Sequence, residues 1–187
     1  MMRKTWMLLA GVGLALGVPA VWAQQQGGLE KIVTGSQFHF DEKDGVVTVT
    51  DSSINRPGIS IKSRSSGYRI DEDGATKTVS LKGAVEVKTG AAIFTTDAAT
   101  YYPELDTLTA REFRLVAGDR VSAQAAISFT CSGGTLYGDG AAIPGGRYSN
   151  CDGGASILQE RIAASGYTIT CGGSGGNQVI LRRGCFD

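Results

Sequence analysis

The chain has 187 residues, with 18 basic and 18 acidic side chains, one histidine, 27 glycines, four prolines and four cysteines. Its charge is balanced and its cations are scattered, which excludes the basic, aromatic-laced stripe of a nucleic-acid binder. A single histidine leaves a Ser-His-Asp triad or a histidine-rich metal site little to build on, so no catalytic residue, metal or cofactor is expected.

The amino terminus reads as a leader. Arg3 and Lys4 form a positive n-region, Trp6 to Val18 is apolar, and Val21-Trp22-Ala23 offers small residues to a signal peptidase. The apolar run is short for a membrane span, and no cysteine marks a lipid anchor. Residues 1–23 are therefore expected to be a signal peptide, cleaved near Ala23 during export. The remaining residues, about 160, suit one soluble domain over 24–187, with a Gly- and Cys-rich final third from about 130.

After the leader, one phrase recurs. It begins Phe38-His39-Phe40-Asp41-Glu42-Lys43-Asp44-Gly45-Val46-Val47-Thr48-Val49, two alternating arms around a polar turn with glycine. It returns from Tyr68 to Gly83, in compressed form from Tyr101 to Ala110, and again from Tyr167 to Gly184. That is the pattern of a β-hairpin, and one hairpin cannot bury its apolar face alone. The expected fold is all-β, a stack of hairpins whose strands pair in order.

Between the turns, one face of each strand is apolar and the other polar. Val47 and Val49 share a face, as do Ile59 and Ile61 after Pro57-Gly58. Val79 and Leu81 follow, then Val85 and Val87 with Glu86 and Lys88 opposite. Ile93 and Phe94, Leu108 and Ala110, and Phe113 and Leu115 around Arg114 complete the middle of the chain. Val121 to Phe129 reads as extended. Ala155 to Ala164 has enough periodicity for two helical turns, but Arg161-Ile162-Ala163-Ala164 matches Arg120-Val121-Ser122-Ala123, so a strand is expected there as well.

The carboxylate clusters Asp41, Glu42, Asp44 and Asp71, Glu72, Asp73 fall in hairpin turns, where Asp and Gly serve the backbone. The second cluster lacks the later glutamate of a calcium loop. His39 lies on a hairpin arm and reads as a surface or edge residue.

The four cysteines, Cys131, Cys151, Cys171 and Cys185, read as two disulfides in an exported chain. Zinc is disfavoured by long spacings without a C-x-x-C pair. If Tyr167 to Gly184 is a hairpin, Cys171 at its turn and Cys185 at its open end are on the order of 20 Å apart at ~3.3 Å per residue, too far to bond. Cys171 is left with Cys131 or Cys151. The phrases Ile127-Ser128-Phe129-Thr130-Cys131 and Tyr167-Thr168-Ile169-Thr170-Cys171 match, which favours Cys131–Cys171 with Cys151–Cys185.

The segment Leu81-Lys82-Gly83-Ala84-Val85-Glu86-Val87, then Ala92 to Tyr101 with its Asp97-x-Ala99-x-Tyr101 spacing, then Thr107-Leu108-Thr109-Ala110 and Gly118-Asp119-Arg120-Val121, resembles the OstA/LptA-type periplasmic family. The resemblance runs from about 38 to 129. Glu112 stands where the family has glycine, and the Cys-rich end is atypical. The resemblance implies an open β-jellyroll, two facing sheets with an apolar interior, and a location in the periplasm. It implies carriage or bridging of lipopolysaccharide or another amphiphilic lipid toward the outer membrane. Partners implied are related jellyroll envelope proteins, or another copy, joined by edge-strand pairing. Groove candidates are Val47, Val49, Ile59, Ile61, Val79, Leu81, Val85, Val87, Phe94, Leu108, Phe113 and Leu115, with Lys62, Arg64, Lys82 or Arg114 meeting phosphorylated sugars at a wet rim. The alternative is a structural or adhesive exported module with a filled core; an enzyme on a β-solenoid is disfavoured for want of an outward carboxylate pair.

Overall fold

A computed structural model describes residues 33–69, 76–90, 92–116, 126–149 and 157–185. The expected signal peptide, the carboxylates 71–73, Arg120 and its neighbours, and Cys151 lie outside the described residues.

The fold is all-β, as the hairpin phrases indicate. The strands are β1 (Val33–Thr34), β2 (Gln37–Asp41), β3 (Val46–Arg56), β4 (Ile59–Arg69), β5 (Val79–Thr89) and β6 (Ala92–Tyr102). They continue as β7 (Thr107–Ala110), β8 (Glu112–Val116), β9 (Ile127–Ser132), β10 (Thr135–Gly138), β11 (Ala141–Ala142) and β12 (Arg147–Tyr148). A helix, α1 (Ile157–Ser165), precedes β13 (Tyr167–Gly172) and β14 (Gln178–Arg183). All fourteen form one antiparallel sheet that is not closed into a barrel, consistent with an open jellyroll. All four hairpins expected from the recurring phrase form: β2–β3, β4–β5 (Tyr68 opposite Val79), β6–β7 (Tyr101 opposite Leu108) and β13–β14.

Strands pair in chain order from β3 to β6, and there the sheet forks. The carboxy-terminal end of β6, Thr100–Tyr102, pairs with β7, which leads to β14, β13 and β12. The amino-terminal end, Ile93–Thr95, pairs with β8, which leads to β9, β10 and β11. The fork follows from a bend across the long strands. The β4–β5 register shifts between Lys62 and Ser65, and the β5–β6 register between Lys82 and Val85. Asp51 (φ 47°) and Ala84 (φ 50°) take left-handed backbone on the same line. Corners of this kind let a strand pass from one layer to the next.

The two halves fold over one another into layers. The first holds β1, β3 from Ser52, β4 to Lys62, β5 from Val85, the start of β6, and β8 to β11. The second holds β2, the other halves of β3 to β6, and β7, β14, β13 and β12. Contacts between layers fix this: Arg56 of the first donates to Tyr101 Oη of the second at 3.0 Å. Phe129 and Tyr148 meet edge to face with centroids 6.2 Å apart. Cys131 and Cys171 are bonded, as the matching phrases favour. Cys185 is also in a disulfide; its expected partner Cys151 lies outside the described residues.

One segment differs from its sequence reading. Where a strand is expected over Ala155 to Ala164, the described residues from Ile157 onward form helix α1. Leu158 and Ile162, four residues apart, put one apolar face on the core, and Gln159 is held by the Ser149 carbonyl. Gly166 at φ 72° then ends the helix, its N–H donating to the Ala163 carbonyl at 3.1 Å. The likeness to the Arg120 segment is one of composition, and composition alone does not set backbone period.

Candidate functional site

The site at issue is the space between the layers. On the first layer, Ile54, Ile61, Val87, Phe94 and Leu115 line up across successive strands. On the second, Tyr68, Val79, Tyr101, Leu108, Leu181 and Ile169 do the same. These side chains are buried, and Val49, Val85 and Phe113 extend the rows toward the bend.

Every groove candidate faces this interior. Val49, Val79, Val85, Val87, Phe94, Leu108 and Phe113 are 0% exposed, Ile61 and Leu81 1%, Ile59 and Leu115 3%, and Val47 is half-buried. They touch one another rather than line an empty channel. Ile93, read with Phe94, points to the other face and is half-buried. Along the bend the interior turns polar: Ser52 and Ser63 hydroxyls bond at 2.7 Å, and Ser66 Oγ is buried without a partner.

The cations expected at a wet rim, Lys62, Arg64, Lys82 and Arg114, are exposed on the outer faces and at the bend. Two surface depressions lie there too, one over Thr48, Gly67, Ser80 and Lys82, the other at the bend over Ala84, Asp97, Arg111 and Arg114. The first is a trough in the outer surface at Gly67, which lacks a side chain between Thr48 and Ser80.

The charged groups that do meet the interior were not singled out by the sequence. Arg56 Nη1 donates to Tyr101 Oη (3.0 Å) and to the Pro103 carbonyl; Tyr101 donates to Asp106 Oδ1 (3.1 Å). Asp106 Oδ2 accepts from Arg183 Nε at 2.7 Å, and Arg183 Nη2 reaches the Pro57 carbonyl. Burial raises the Tyr101 pKa, Arg56 opposing and Asp106 adding to the shift. Burial and then Asp106 raise that of Tyr167, with Arg183 opposing the shift; the hydroxyl makes no hydrogen bond of good geometry, because Arg183 lies over the ring with Cζ 5.9 Å from the centroid. Only contact order carries this cluster: its members lie at residues 56, 101, 106, 167 and 183, with no local spacing to reveal them.

Among the described residues no group of three or more His, Cys, Asp or Glu side chains could hold a metal ion. His39 is exposed on β2, and Asp41 Oδ1 accepts the Lys43 N–H at 3.0 Å, the turn role expected of it. No described helix is long and apolar enough to cross a membrane. No protein-family model and no curated protein matches the chain at a significant level.

Proposed function

We propose that this is an exported, non-catalytic envelope protein that binds lipid between its layers and bridges it across the periplasm toward the outer membrane. The cargo is lipopolysaccharide or another amphiphile with acyl chains. One observation carries the reading: a continuous apolar interior lies between two layers that share a single bend, in a sheet that never closes. Parting the layers about the bend would expose facing apolar walls, and an acyl chain gains ~0.8 kcal/mol per buried methylene. The Cys131–Cys171 disulfide and the expected leader support export to an oxidising compartment.

A specific observation favours a second reading, a structural or adhesive module. At rest the groove candidates other than Val47 pack in the interior at 0–3% exposure, as in a filled core. The two readings separate on Val87→Asp and Phe94→Asp, at positions opposite each other on β5 and β6. Thermal melting and fluorescent-lipid binding are measured on wild type and both variants. On the lipid reading wild type binds, while the variants fold, since parted layers let the carboxylate reach water, and lose binding. Wild type that binds no amphiphile, with variants that fail to fold, favours the structural module over the lipid reading, because an unpaired carboxylate in a closed core costs several kcal/mol.

A further inference from the structure

The bend and the mouth opposite it are closed in different ways. At the bend Cys131 and Cys171 join the layers covalently, and the β9–β10 and β13–β14 turns are bonded to each other. Gly134 N–H donates to the Gly176 carbonyl at 3.0 Å, and Gly133 N–H to Asn177 Oδ1 at 3.1 Å. At the mouth, the β3–β4 turn of the first layer meets the second through the chain Arg56–Tyr101–Asp106–Arg183–Pro57. Gly58 (φ 81°) permits that contact, since a Cβ there would stand 2.5 Å from Arg183 Nη2. Beside it, α1 fills the mouth: Ile162 is buried, and the β5–β6 turn at Gly90 lies against the Ala164 carbonyl.

The mouth therefore holds two guanidinium groups and one carboxylate at the rim of an apolar interior. The Arg183 side chain is 42% exposed and that of Asp106 18%, so the cation is reached from water before its counter-ion. We propose that this cluster is a ligand-released latch, in which the anionic head of an amphiphile takes Arg183 and Arg56 from Asp106 and Tyr101. The layers then part at the mouth, α1 lifts, and the chain enters while the bend stays locked. This rests on the lipid-binding reading above.

Three physical points support the exchange. Guanidinium pairs as well with a phosphate as with a carboxylate, often in bidentate geometry. A partly exposed pair such as Arg183–Asp106 is weak enough to be exchanged. A ligand shifts a closed–open equilibrium only by its differential affinity for the two states, and a head that contacts both arginines only when the latch is open supplies that difference. A neutral head with the same chain supplies none.

The test uses the mature protein and three probes: dodecyl phosphate, dodecyl glucoside and inorganic phosphate. Binding is followed by calorimetry and mouth opening by hydrogen exchange at residues 56–59 and 157–165. Dodecyl phosphate is expected to bind at least tenfold tighter than the glucoside and to cut protection at both segments, while inorganic phosphate leaves protection unchanged. Arg183→Gln and Arg56→Gln should bring the ratio to about one, and Asp106→Asn should tighten binding of both amphiphiles. Equal binding of the two amphiphiles to wild type overturns the latch and leaves lipid binding standing, whatever the variants do. The same loss of protection with inorganic phosphate alone also overturns it, since a free anion would then be the ligand. Failure of both amphiphiles to bind wild type and Asp106→Asn removes the lipid reading and the latch with it.

Discussion

Cys131 and Cys171 lie 5.7 Å apart at Cα on β9 and β13, strands of opposite layers with no backbone pairing to each other. Thr130 pairs with Glu112 and Cys171 with Val179 opposite Ala110, so the bond sits beside Arg111, where the sheet forks. The disulfide closes a loop of 40 residues. On the loop-closure relation its removal costs about 4 kcal/mol. A Cys131→Ser/Cys171→Ser variant should show that loss in chemical denaturation. Exchange protection should fall first in β9, β10 and β13, with residues 46–69 and 79–102 holding longest.

Ala84 carries the bend of β5 with a left-handed backbone next to Gly83 at φ 72°. An L side chain pays roughly 1–2 kcal/mol there, and glycine's entropy returns roughly half of that. Ala84→Gly should therefore stabilise by about 0.5–1 kcal/mol. Gly83→Ala should destabilise, because its Cβ would press on Arg64 Cβ at 3.1 Å in addition to the backbone strain. The two denaturation midpoints should move in opposite directions; a common direction would show that the bend is not held by these residues.

The strands were legible because alternation marks a half-buried sheet, and the pairs Val47/Val49, Ile59/Ile61 and Val85/Val87 all face inward. The bend was legible too, in a signal that reading short strands conceals. In β3 the inward parity passes from Val47 and Val49 to Ser52 and Ile54, and in β6 from Ala92 and Phe94 to Ala99 and Tyr101. The same flip separates Leu108 and Ala110 from Phe113 and Leu115. A strand that keeps one face inward around a corner gains or loses a residue there, so each flip marks the corner. Helix α1 was concealed by a chance match in composition. The cluster of Arg56, Tyr101, Asp106 and Arg183 was not legible at all, since the fold alone brings Arg56 to Tyr101 and Asp106 to Arg183.

Tyr101 and Tyr167 should respond oppositely to loss of their hydroxyls. Tyr101→Phe removes an acceptor from Arg56 and a donor to Asp106, and should cost about 1.5–3 kcal/mol, the range for hydrogen bonds to charged groups. Tyr167→Phe removes a buried hydroxyl without a hydrogen-bond partner and should gain about 1 kcal/mol. Thermal melts at neutral pH compare them directly.

Both phenols have folded pKa values raised above the ordinary tyrosine value of about 10, so the folded state holds its protons where the unfolded chain has lost them. Their contribution is complete below about pH 10 and is lost as pH climbs toward the folded values. Stability should fall between pH 9.5 and 11.5, a range set about the free tyrosine value, and fall less steeply in the Tyr101→Phe/Tyr167→Phe double variant. Equal slopes would mean that lysines and the rest of the chain set the alkaline limit.

At the edge of the second layer, β2 pairs with β3 through Phe38 opposite Val49 and Phe40 opposite Val47. Phe38 and Phe40 thus point to the core face, yet they are 58% and 56% exposed because no described strand covers them. Among the described strands β2 pairs only with β3, and an edge of that kind with two exposed aromatics invites a further strand, from another copy or a related jellyroll. Wild type should associate with rising concentration in sedimentation velocity. Phe40→Lys should weaken that association by adding charge at the edge. If the lysine variant associates as wild type does, the contact lies elsewhere and β2 is not the joining edge.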